Sequence, residues 1–129
     1  MTPLTAAEVK AEAERIGFVA CGIAPLEPSR RADALDRWLA RGYAGVMGYL
    51  PRQARKRKDP RTITPGARTA VVVLENYAPA SDERPRTDEA FHVARYARGM
   101  DYHIVTHGRL HRLSEWIKAR GAEVAHTWV

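Results

Sequence analysis

The ten residues from Ala94 to His103, ARYARGMDYH, set two arginines and two tyrosines around Gly99, with a histidine directly behind. Arginine's planar fork of donors suits phosphates and amides, and guanidinium and phenol faces both stack on conjugated rings. Arg95, Tyr96, Arg98, Tyr102 and His103 therefore read as the edge of a site for a large anionic cofactor or a phosphate-bearing substrate. Alternating cations and rings also occur on half-exposed edge strands, and that reading stays open from these residues alone. Lys56-Arg57-Lys58-Asp59-Pro60-Arg61 is the densest charge in the chain, within a basic run from Arg52 to Arg61. It reads either as a solvated loop or as a second wall of the same site, with Arg57 the residue chosen to bind a phosphate or carboxamide.

Three other patterns are weaker. His103, His107 and His111 recur every four residues, but no carboxylate or cysteine completes a ligand set and three helical turns are too long for one ion, so no metal site is expected. His103 is expected to face inward and the other two to face water. Gly42, Gly45 and Gly48 miss the dinucleotide fingerprint and read as a turn. Cys21, the one cysteine, lies in an apolar run and reads as a small core residue. It can form neither a disulfide nor a four-thiolate iron–sulfur site within this chain.

The elements that must position these residues follow from pattern. Thr5 and Glu8 form a capping box that predicts a helix to about Ile16, closed by Gly17. Phe18 to Ala24 is apolar on both alternating faces and predicts a strand covered on both sides. Ser29 to Arg41 predicts a helix with Ala32, Leu35, Trp38 and Leu39 on one stripe, ended by Gly42. Tyr43 to Leu50 predicts a glycine-punctuated turn, and the three prolines between Pro51 and Arg68 a structured loop or short helical turn. Thr69 to Tyr77 is the clearest strand, and Ala78 to Glu89 an exposed loop. Asp101 caps a helix to about Arg120 that carries His103, Thr106, Leu110, Leu113 and Ile117 on one face. Glu123 to Val129 predicts a last strand. Helix and strand alternate, which predicts an α/β layer fold.

At 129 residues with a net charge of +6, the chain fits one domain with a real core and favours an anionic partner. The opening MTPLTAAEVK has no basic and then apolar leader, and no apolar run approaches the roughly 20 residues that span a bilayer. A soluble protein of the reducing cytosol, with no membrane partner, is expected. Because the sequence stops at Val129 inside a predicted strand, the fold is expected to be incomplete at its C-terminus and the chain to come from a longer protein.

Taken in order, KAEAERIGFVACGIAPLEP, WLARGYAGVMGYL, RKRKDPRTITPGARTAVVVLENYAP and ARYARGMDYHIV resemble the N-terminal region of epoxyqueuosine reductases. The resemblance covers nearly the whole chain. It implies an α/β cobalamin-binding domain from an enzyme that reduces epoxyqueuosine to queuosine at the wobble position of tRNA, using base-off cobalamin and two [4Fe–4S] clusters. Carried over by position, it makes Arg57 and the backbone of Ala94 cobalamin contacts, beside Arg95, Tyr102 and His103 from the pocket reading. It also implies a cytoplasmic, monomeric full-length enzyme whose cluster-binding domain is absent from this chain. The family's proton-donor aspartate falls beyond Val129, so no catalytic residue is expected here and the chain alone is expected to be inactive. Two alternatives stay open: from another class, a stand-alone module for anionic ligands or RNA, using Arg52 to Arg61, and, from the same class, a fragment of another corrinoid-dependent reductase.

Overall fold

The structure, a computed structural model, describes residues 3–77, 94–97, 99–124 and 127. Its elements run α1 (Ala6–Ile16), β1 (Ala20–Pro25), α2 (Ala32–Ala40), α3 (Tyr49–Arg52), α4 (Ala54–Lys58), a 3₁₀ turn (Pro60–Thr62), β2 (Thr69–Leu74), a second 3₁₀ turn (Arg95–Ala97) and α5 (Tyr102–Lys118). This is a small α/β fold whose sheet has two strands, β1 beside β2. The Val19 N–H donates to the Leu74 carbonyl at 2.9 Å and the Leu26 N–H to the Arg68 carbonyl at 2.8 Å, a register that runs the strands antiparallel.

The chain divides into two compact units, and the boundary runs through both strands: Met1–Gly22 with Val71–Val129, and Ile23–Ala70. In the first, the capping box starts α1 as expected: the Thr5 hydroxyl accepts from the Glu8 N–H while the Glu8 carboxylate accepts from the Thr5 N–H at 2.8 Å. Gly17 ends the helix at φ 114°, left-handed backbone that a side chain would strain. α1 then packs against α5. Ala13, Ile16, Phe18 and Leu113 form the buried centre, with Cys21, Val73, Leu110 and Ile117 half-buried around it. Cys21 is thus a core residue, as its apolar neighbours suggested, and burial pushes its thiol pKa up despite the charge of Lys10.

In the second unit α2 packs against α4. Lys58 holds Asp36 through both carboxylate oxygens, at 2.9 and 3.1 Å, and the Ser29 N–H donates to the Lys58 carbonyl at 2.7 Å.

Several expectations are corrected. β1 is not covered on both sides: Cys21 and Ile23 are half-buried while Ala20, Gly22, Ala24 and Pro25 are exposed. A run of small apolar residues fits a one-sided strand as readily as a two-sided one. α2 starts at Ala32, after an N-cap residue, Arg31, that makes no side-chain cap bond. The glycine-rich turn gives way to helix at Tyr49, whereas the basic run forms the short helix α4, one of the two forms expected of it. β2 stops at Leu74, before Tyr77. The loop predicted over Ala78 to Glu89 lies outside the described residues. So do four of the seven positions of the predicted last strand; the other three, Glu123, Val124 and Thr127, carry no strand.

Candidate functional site

Four of the five candidate residues belong to the first unit, on the approach to α5. The Ala97 N–H donates to the Ala94 carbonyl at 2.9 Å, closing a single 3₁₀ turn where an edge strand was a possible reading. Arg95 lies in that turn, and Tyr96 beside it is exposed. Arg98 lies outside the described residues. Asp101 then caps α5 by accepting the His103 N–H at 2.9 Å.

That aspartate does a second thing the sequence did not announce. Its Oδ1 also lies 2.9 Å from Nδ1 of His103. The two hydrogen bonds from His103, the backbone one first, hold the Asp101 carboxyl below its usual pKa, so it is an ionised acceptor. A carboxylate only accepts, and Nδ1 must therefore donate to it. In the neutral ring this leaves Nε2 as a bare acceptor facing away from Asp101. The imidazole also stacks on Tyr102, with ring centroids 4.0 Å apart and planes 29° from parallel. Tyr102 and His103 thus form one oriented, solvent-exposed ring stack. The expectation that His103 turns inward is overturned: its side chain is 59% exposed, because its hydrogen bond and its stacking partner both lie at the mouth of the helix. His107 and His111 face solvent as expected.

Arg57 belongs to the second unit, on α4. Its neighbours Lys58 and Arg61 are neutralised locally, Lys58 by Asp36 and Arg61 by both oxygens of Asp59 at 2.9 and 2.8 Å. The Arg61 guanidinium holds the Asp59 carboxyl below its usual pKa, so the pair is fully charged near neutral pH. Arg57 differs. Its Nη2 reaches only the side-chain oxygen of Gln53, at 3.5 Å, and its guanidinium lies 5.9 Å from the centre of the Tyr49 ring. It is oriented from two sides while its charge stays unpaired among the described residues. Tyr49 and Gln53 were missed in the sequence. Gln53 sits one turn before Arg57, a legible spacing, but Tyr49 reaches it across the break between two short helices and carries no periodic signal.

A shallow cleft lies elsewhere, lined by Lys10, Ala11, Glu14, Phe18, Val19, Ala20 and Cys21, and none of the five candidates borders it. Among the described residues no group of three or more histidine, cysteine or acidic side chains is placed to hold a metal ion, and no helix is long and apolar enough to cross a membrane.

The family profile described as epoxyqueuosine reductase QueG, DUF1730, matches residues 57–129. Proteins named epoxyqueuosine reductase from Leadbetterella byssophila and Gloeobacter violaceus are 38% and 39% identical to the chain, over 91% and 89% of it. One from Pseudomonas aeruginosa is 33% identical over 88%. These alignments cover 38%, 35% and 32% of the relatives, so the chain spans about a third of their length. No solved structure gives a significant match.

Proposed function

From a chain that belongs to the epoxyqueuosine reductase QueG family, we propose that it forms the cobalamin-facing N-terminal part of such a reductase, acting in the cytosol on epoxyqueuosine in tRNA. The matched span begins at Arg57 and contains all five candidate residues. The observation that carries the reading is Arg57 itself, a guanidinium steadied by Gln53 and Tyr49 and not neutralised by any described carboxylate. Such a group is ready to donate to a peripheral amide or the phosphate of a corrinoid. In the other unit, the Tyr102–His103 ring pair by itself suits a planar conjugated ring edged with amides: an aromatic face to stack, and Nε2 to accept an amide N–H. Arg95 and the backbone of Ala94 complete the proposed contacts.

Bound cobalamin would supply the reducing centre that opens the epoxide, chemistry that no side chain carries. The residues of this chain bind and orient. The iron–sulfur clusters implied by resemblance do not fit here, because a cluster needs several thiolates and this chain has only Cys21. Electrons and the proton donor are therefore assigned to the remainder of the longer enzyme.

Titration with cob(II)alamin, followed by its visible spectrum, tests the reading. The chain should bind weakly, Arg57→Ala more weakly still, and Arg61→Ala about as well as the parent, because Arg61 is already occupied by Asp59. Equal affinity of the parent and Arg57→Ala would remove Arg57 from the site.

A further inference from the structure

Charge is divided between the two units far more sharply than the net value suggests. The Ile23–Ala70 unit holds 11 of the 21 basic and 4 of the 15 acidic residues, net +7, while the rest of the chain holds ten basic and eleven acidic and is net −1. All of the chain's excess positive charge therefore lies on one unit. The acidic residues of that unit are largely spent inside it, Asp33 on Arg37, Asp36 on Lys58 and Asp59 on Arg61. Unpaired among the described residues of that unit are Arg30, Arg31, Arg41, Arg57 and Arg68, and with them a run of exposed cations on α3 and α4: Arg52, Arg55 and Lys56.

Beside this run in the same unit, the turn before α3 presents large apolar and aromatic side chains to solvent. Val46 is fully exposed, and Tyr43 and Tyr49 are 57% and 44% exposed. Both rings are oriented, Tyr43 edge-on to Trp38 at 6.4 Å and Tyr49 beneath Arg57. Cations in excess next to exposed, pre-set rings are the combination that binds RNA: the charge meets phosphates, and rings accept unpaired bases whatever their identity.

We propose that the Ile23–Ala70 unit is an RNA-docking surface, with Arg52, Arg55 and Lys56 on the phosphate backbone and Tyr43 stacking an unpaired base. This deepens the proposed function by locating where the RNA substrate is gripped, and rests on that reading only for the choice of RNA over other polyanions. Arg57 is left to the cofactor.

The test measures binding of the chain to an unmodified tRNA transcript across a salt series. Two triple variants are compared: Arg52→Glu/Arg55→Glu/Lys56→Glu, and Lys10→Glu/Arg112→Glu/Lys118→Glu in the other unit. Both have the same net charge, so general attraction falls equally and only location differs. The first should lose at least about tenfold in affinity, and its log–log salt slope should fall by roughly two to three, three phosphate contacts' worth. The second should lose clearly less. The glutamine version, Arg52→Gln/Arg55→Gln/Lys56→Gln, should show an intermediate loss, and Tyr43→Ala a loss of roughly fivefold or more with the slope unchanged. Equal losses in the two triple variants would overturn the proposal. So would salt-insensitive binding by the parent, whatever the variants do. Binding to phosphatidylserine vesicles but not to tRNA would assign the surface to a membrane instead. Corrin uptake is a separate readout, so failure of the cofactor reading leaves this result interpretable, and the reverse.

Discussion

Glu12 is among the few charged side chains drawn into the protein, 7% exposed and bridged to Arg15 at 2.5 Å. The hydrogen bond from Arg15 holds its carboxyl below the usual range. A carboxyl whose pKa is lowered by folding stabilises the fold above its unfolded value, near 4.3, and that contribution is lost as pH falls through the lowered folded value. Arg15→Met should therefore raise the Glu12 pKa and move the midpoint of acid unfolding to higher pH. Circular dichroism across pH 2 to 6, on the order of the range carboxylates titrate in, checks it, and an unmoved midpoint would show that the pair adds nothing. Leu113, 3% exposed, carries the apolar side of the argument. Leu113→Ala should cost about 2–5 kcal/mol through lost burial and a cavity, a large part of the total stability of a small domain. A drop in melting temperature of only a degree or two would mean that the site collapses around the smaller residue.

At the scale of elements, legibility followed local chemistry. α1 was readable to its last residue because Thr5, Glu8 and Gly17 carry both ends within the element. Thr5→Ala should cost about 1 kcal/mol, measurable by urea denaturation. α5 was readable from Asp101 and the Leu110, Leu113, Ile117 stripe, but its anchoring was not. The first turns bury no apolar side chain, with Tyr102, His103 and Ile104 all exposed. What ties them down is polar: the Thr106 hydroxyl and the Arg109 guanidinium both donate to the carboxylate of Glu75, just past β2. Nothing in the sequence pairs residues more than thirty positions apart. Glu75→Ala should free the front of the helix that presents Tyr102 and His103. Amide exchange from His103 to Arg109 should accelerate, while exchange from Leu113 to Lys118 stays near the parent rate. Uniform acceleration along α5 would mean that Glu75 supports the whole fold and not this segment. The short helices α3 and α4 were legible only as a structured loop or short helical turn: Pro51 and the charge run suppress any apolar period, and α4 is placed by α2, by α3 and by the Lys58–Asp36 pair.

For the molecule as a whole, Arg95, Tyr102 and His103 were proposed from residue type, a cation and rings near a helix start, Ala94 from its position in a family pattern, and Arg57 from its charge and that pattern together. Their conformation was not legible. No spacing rule foretold that Asp101 would turn His103 outward against Tyr102, or that Tyr49 and Gln53 would steady Arg57. The central proposal is that Arg57 in one unit and, separately, Ala94, Arg95, Tyr102 and His103 in the other are corrinoid contacts. Cob(II)alamin is paramagnetic, so it broadens the amide resonances of the residues nearest its cobalt even when binding is weak. In a titration of the isotopically labelled chain, the signals of Arg57 and those of Ala94, Tyr102 and His103 should each broaden at substoichiometric cobalamin, ahead of those of α1 and α2. An Arg57 signal that stays sharp, or broadening spread evenly over the surface, would contradict the account.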